Sequence, residues 1–157
     1  SFKDIADFKE KIKLMIAEEK KSKEKDKKRI SISDKLIETS AIELPEVLVE
    51  SELSRMESQF SEDVARMGVT MEDYMKHAKK TLEDLKKDWR PHAEKKAKLQ
   101  LILNKISELE KITVEPKEIE NEVNMIVERY KDADRERAAV YAETVLMNEK
   151  VFQFLES

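Results

Sequence analysis

IELPEVLVESEL, residues 42–53, sets a proline between a short apolar run and an apolar stripe of helical spacing, and ITVEPKEIENEV, residues 112–123, nearly repeats the arrangement. Pro45 has no N–H and holds φ near the helical value, which suits a first helical turn, and it pushes Leu44 toward an extended backbone. Each stretch therefore reads as an extended hook leading into a helix. An offset of 70 relates the two: Ile112, Val114, Ile119, Val123, Ile126 and Tyr130 stand where Ile42, Leu44, Val49, Leu53, Met56 and Phe60 stand. The proline slips by one, from 45 to 116. Ile32 and Leu36 fall on Ile102 and Ile106 at the same offset, so the repeated unit is a helix, a hook and a second helix.

Composition agrees with helices throughout. One Gly and three Pro in 157 residues leave few interruptions, while Ala, Leu, Glu, Lys and Met supply strong helix formers. Core material is scarce: 42% of residues are charged against 39% hydrophobic, with a mean hydropathy of −0.69. A compact sphere would bury too little apolar surface to offset the ordering of so many long charged side chains. The expected fold is all-α, an elongated helical body with a long N-terminal helix and two arm-like helical units related by the 70-residue repeat. Without cysteine there is no disulfide framework or thiolate metal site, and a cytoplasmic location is the default expectation. No apolar run approaches the roughly 18 residues that span a bilayer, and no secretion signal opens the chain. Ser1 is not an initiator methionine, which admits a processed product or an excised domain.

Along the chain, residues 1–41 read as one long spar. Phe2, Ile5, Phe8, Ile12 and Ile16 recur at helical spacing, a lysine-rich middle follows at 18–29, and periodicity resumes at Ile30, Ile32, Leu36 and Ile37. A helix from about Asp4 to Thr39 would be ~54 Å long. Residues 42–90 form the first arm, 91–111 a connecting helix opened by Pro91, and 112–157 the second arm and C-terminal helix, with Val140, Val145 and Phe152 near one face of the latter. Within the first arm Gly68 suits a left-handed cap, Thr70 caps the next helix with Asp73 three residues on, and that helix runs from Met71 to about Asp88. Val49, Leu53, Ile119 and Val123 are the core expectation.

Catalysis finds no foothold. Two histidines, His77 and His92, no cysteine and no phosphate-cradling glycine loop leave neither a nucleophile nor a metal set, so no enzyme, cofactor or metal is expected. The carboxylates sit among lysines at pairing distances, which favours ion pairs over acid–base couples. The basic stretch from Lys20 to Arg29 invites a nucleic-acid reading, yet it has no interleaved aromatic residue and the chain is net −4. A solvated helix face is the expectation there, with neither nucleic acid nor membrane as partner. Seven methionines, by contrast, give adaptable side chains of the kind that repack around unlike apolar partners.

IELPEVLVESEL, GVTMEDYMKHAKKT, WRPHAEKKAKLQLIL and VLMNEKVFQFLES, after an opening spar that ends in ISDKLIETSA, together resemble the C-terminal domain of trigger factor, a bacterial ATP-independent chaperone of the ribosome exit. The likeness covers nearly the whole chain in order. It implies that 1–157 is a chaperone domain holding unfolded or nascent polypeptides in a helical cradle, with Met56, Phe60, Val64 and Met67 on the first arm and Ile126 and Tyr130 on the second meeting clients. The family's ribosome-docking signature and its prolyl isomerase domain, which precede this domain, have no counterpart here. The resemblance thus implies ribosome contact only through such a preceding domain, and no isomerase activity from this chain. The alternative is a helical scaffold or coiled-coil oligomer, in which the same stripes are buried by self-association.

Overall fold

The computed structural model describes residues 5–157, the side chains of Ala6 and Asp7 excepted; Phe2 and the helix start expected at Asp4 lie outside them. These residues form six α-helices and no strand, so the fold is all-α. The chain divides into two compact units, Ser1–Glu38 and Thr39–Ser157.

The first unit is a single helix, α1 (Ile5–Thr39), unbroken through its lysine-rich middle. No described residue of 5–38 is buried. Its own backbone ladder and turn-to-turn pairs such as Lys23 Nζ to Glu19 Oε1 at 2.5 Å steady the helix locally.

The second unit has α2 (Glu46–Arg66), α3 (Met71–Ala78), α4 (Leu82–Leu109), α5 (Pro116–Arg129) and α6 (Arg135–Glu156). Helix α4 is central: α2 and α6 both pack on it, α5 packs on α6, and α3 rests against α2. Two small cores result. Val49, Leu53 and Ala93 form the first, with Leu44, Met56 and Trp89 against it; Val123, Ala138 and Ala142 form the second, with Ile119, Ile126 and Val127 around it. Charge reinforces the first packing, because the acidic face of α2 meets basic residues of α4. Arg90 contacts Glu46 and Glu50, Lys86 Nζ lies 2.7 Å from Glu57, and Lys96 Nζ lies 3.0 Å from Glu52.

Both hooks are extended, and the helices after them start 70 residues apart, at Glu46 and Pro116. Pro45 is the cap residue of α2, with φ −62° and ψ 132°, whereas Glu115 caps α5 and Pro116 is its first helical residue. A fixed φ near −65° fits either position, which accounts for the slip of the proline by one. Gly68 takes φ +74° after α2, and the Thr70 hydroxyl accepts from the Asp73 N–H at 3.1 Å.

Two expectations need correction. The helix from Met71 does not reach Asp88, and Pro91 does not open the next one. Helix α3 stops at Ala78 with Lys79 in the left-handed region (φ 52°), and α4 starts at Leu82 and runs straight through Pro91. The boundary at 90/91 therefore falls inside α4. An interior proline costs a helix about 3 kcal/mol. Its neighbours offset that, since Trp89 and Ala93 sit in the first core and Arg90 is tied to α2. A stronger start signal also lies upstream: Thr81 accepts from the Asp84 N–H while the Asp84 carboxylate accepts from the Thr81 N–H, a full capping box. On α6 the inward face runs through Ala138, Ala142 and Val151, and Val140 and Val145 point to solvent.

Candidate functional site

On α2 the helical spacing puts Glu52, Arg55, Met56, Gln59, Phe60 and Asp63 along one side, and with Trp89 and Lys96 of α4 they line a groove of about 370 Å³. Phe60 is the centre of an aromatic cluster: Tyr74 meets its ring edge-on at 5.1 Å and Trp89 at 5.2 Å. Edge-to-face rings at such separations are attractive as well as apolar. Glu52, Arg55 and Lys96 also line a second cleft, of about 410 Å³; the two clefts, bordered in common by these three residues, are together the α2 trough. Farther along, the walls are apolar Leu48, Leu103 and Phe152 and amide Gln100 and Asn148. The two amides exchange hydrogen bonds, Gln100 Nε2 to Asn148 Oδ1 at 3.1 Å and Asn148 Nδ2 to Gln100 Oε1 at 2.9 Å, which ties α4 to α6 beneath the trough.

A separate groove of about 570 Å³ lies on α5, lined by Glu122, Met125, Ile126, Glu128, Arg129 and Tyr130. Its register repeats that of the first. Residues 122, 125, 126, 129 and 130 stand 70 beyond 52, 55, 56, 59 and 60, all of which line the α2 groove.

The residues expected to meet clients are distributed unevenly. Met56 and Phe60 share the first groove, and Ile126 and Tyr130 share the second. Met56 and Ile126 are half-buried, each leaning on its own core. Tyr130, the cap residue of α5, is 59% exposed and Met67, at the end of α2, is 70% exposed. Val64 is only 1% exposed and offers no surface in this conformation. Sequence reading missed Tyr74 and Trp89, which belong to other helices and carry no local sign of meeting Phe60. It also passed over Met125, 57% exposed at the groove edge, although the offset from Arg55 marks its position.

Ion pairs outside the groove linings tie the helices together. The Arg90 guanidinium holds Glu46 below the usual carboxylate range, chiefly by hydrogen bonding, and Arg90 is itself raised by Glu46. Lys150 of α6 donates to Glu118 Oε2 at 2.6 Å and to the Thr113 carbonyl at 3.0 Å, fastening the second hook, and it lowers Glu118 by that hydrogen bond before any other cause. In the exposed last turn of α3 the His77 ring donates from Nδ1 to the Asp73 carbonyl at 2.7 Å. Among the described residues no group of histidines and carboxylates is arranged to hold a metal, and no helix is long and apolar enough to cross a membrane.

Fold and site define an all-α domain with open, apolar-floored grooves along its helices. The chain belongs to the family described as bacterial trigger factor protein (TF) C-terminus, whose model matches residues 4–156. It is similar to trigger factor of Carboxydothermus hydrogenoformans, 30% identical over 142 residues, which covers 90% of this chain and 33% of that protein. Trigger factor of Agathobacter rectalis is 32% identical over 126 residues (80% of this chain, 28% of the relative), and that of Trichodesmium erythraeum 29% over 160 residues (99% and 32%). The chain thus spans about a third of the length of the curated relatives it matches. No solved structure matches it.

Proposed function

We propose that this chain is an ATP-independent chaperone domain that holds unfolded or nascent polypeptides on apolar grooves of its second unit. Membership of the trigger factor C-terminal family supports the reading. The observation that carries it is the pair of open grooves, one floored by Met56 and Phe60 and the other by Ile126 and Tyr130. Small apolar floors framed by charge bind an extended chain through many weak contacts, and weak contacts release it without nucleotide. Met125 in the α5 groove and the exposed Met67 just past the end of α2 add adaptable contact area. Contact with the ribosome belongs, on this reading, to parts of the relatives that this chain does not span.

A scaffold that self-associates is the second reading, favoured by the solvent-facing Val140, Tyr141 and Val145 of α6. One assay separates the two. An unfolded client is diluted from denaturant with and without this chain, no ATP being added, and light scattering is followed. Suppression at near-stoichiometric amounts is the expected result. Undiminished scattering, with the chain sedimenting as a stable oligomer, would replace the chaperone by the scaffold.

A further inference from the structure

The two grooves share their register but not their charge. In the α2 groove the Glu52 side chain, 13% exposed, lies under two cations: Lys96 Nζ at 3.0 Å and Arg55 Nη1 at 3.4 Å. Arg55 is 80% exposed, and it and Lys96 line both this groove and the neighbouring cleft. Two cations to one carboxylate leave that junction net positive. The other carboxylate of the groove, Asp63, lies two turns beyond Arg55 and is engaged by Gln59 and Arg66. The α5 groove has Glu122 where Glu52 stands but Met125 where Arg55 stands, and with Glu128 and Arg129 its lining holds two carboxylates to one cation, against two of each in the α2 groove.

We propose that Arg55, together with Lys96, makes the α2 trough selective for extended apolar segments that carry a carboxylate, and that Met125 leaves the α5 groove without this selectivity. The inference rests on the client-holding reading and adds the class of segment. Charge complementarity is its basis. Lys96 uses one of three donors on Glu52 and Arg55 meets it only at 3.4 Å, so both cations retain hydrogen-bonding capacity toward an incoming carboxylate. An apolar side chain next to that carboxylate would rest on Met56 and Phe60 on one side or Leu48 and Phe152 on the other.

Fluorescence anisotropy of three labelled ten-residue peptides with the full chain tests this. The peptides share one apolar sequence and differ only in two flanking residues, both Glu, both Gln or both Lys. At low salt the Glu peptide should bind about threefold tighter than the Gln peptide, the scale of partly solvated charge pairs, and the difference should vanish in about 0.5 M salt. Arg55→Met, which imports the residue of the second groove, should remove most of the preference, and Arg55→Lys should retain it. Met125→Arg should strengthen Glu-peptide binding. Equal binding of Glu and Gln peptides, or a preference untouched by Arg55→Met, would overturn the proposal while leaving client holding in place. Failure of all three peptides to bind would remove the client reading and this one with it.

Discussion

Val64 and Tyr130 show what a single residue reveals only in context. Both lie on helical apolar stripes, yet one is sealed at the end of α2 and the other caps α5 in solvent. Val64→Ala should cost about 2 kcal/mol, two buried methyl groups plus the cavity they leave. Tyr130→Ser should leave thermal unfolding nearly unchanged, within about 0.5 kcal/mol, yet weaken client holding. Phe60→Ser should do both, losing about 3 kcal/mol with its contacts to Tyr74 and Trp89 as well as its place on the groove floor. Melting curves and aggregation assays on the three variants check the ordering. A Tyr130→Ser protein that melts well below wild type would show that the exposed ring is structural. Periodicity made the core residues Val49, Leu53 and Val123 legible, because each is the inward position of a stripe just after a hook. It could not separate Val64 from Met67. What distinguishes them is position: Val64 is a buried residue within α2, whereas Met67 is the exposed cap residue at its end.

At the scale of the element, local chemistry marks helix ends better than prolines do. The tetrapeptides Thr70-Met-Glu-Asp and Thr81-Leu-Glu-Asp have the same form and both start helices, but the second was masked by Pro91, which looked like the better start. Thr81→Ala should destabilise by about 1 kcal/mol through loss of the capping box. Pro91→Ala should stabilise by about 1 kcal/mol, since the helix regains an N–H donor while the unfolded chain gains some freedom. Urea titrations read both. A destabilised Pro91→Ala would refute a net cost for the proline inside α4. The clamp from α6 to the second hook gives a pH signature. Glu118 is lowered from its ordinary value of 4.5, chiefly by the hydrogen bond from Lys150 and then by the Glu115 N–H. A depressed carboxylate adds stability above its unfolded value, and that stability fades as pH falls through the lower folded value. Melting temperature should therefore drop as pH is lowered below about 4.5, and less steeply in Glu118→Gln, while Glu46 and Asp84, also lowered, preserve part of the slope. Identical slopes in the two proteins would refute a role for the clamp.

At the scale of the molecule, the two units obtain their order from different sources, and their stabilities should differ accordingly. The helix of the first unit has no buried residue among those described in 5–38, so its backbone hydrogen bonds are defended by propensity and by exposed pairs worth roughly 0.2–0.5 kcal/mol each. The second unit is held by two cores, by Ile102 and Leu103 buried in α4, and by the amide exchange between Gln100 and Asn148. The charge pattern of the sequence points to this contrast: residues 18–29 include no apolar side chain, so that stretch can be helical but has nothing of its own to bury in a core. Native-state hydrogen exchange should then find the amides of about 10–28 exchanging within seconds to minutes under conditions where those near Ile102 persist until global unfolding. Far-UV circular dichroism should correspondingly begin to fall with temperature before the fluorescence of Trp89, the only tryptophan and a reporter of the first core, changes. Slow exchange in the lysine-rich middle, equal to that of α4, would show that some partner surface covers α1 after all, and a single transition seen by both probes would say the same.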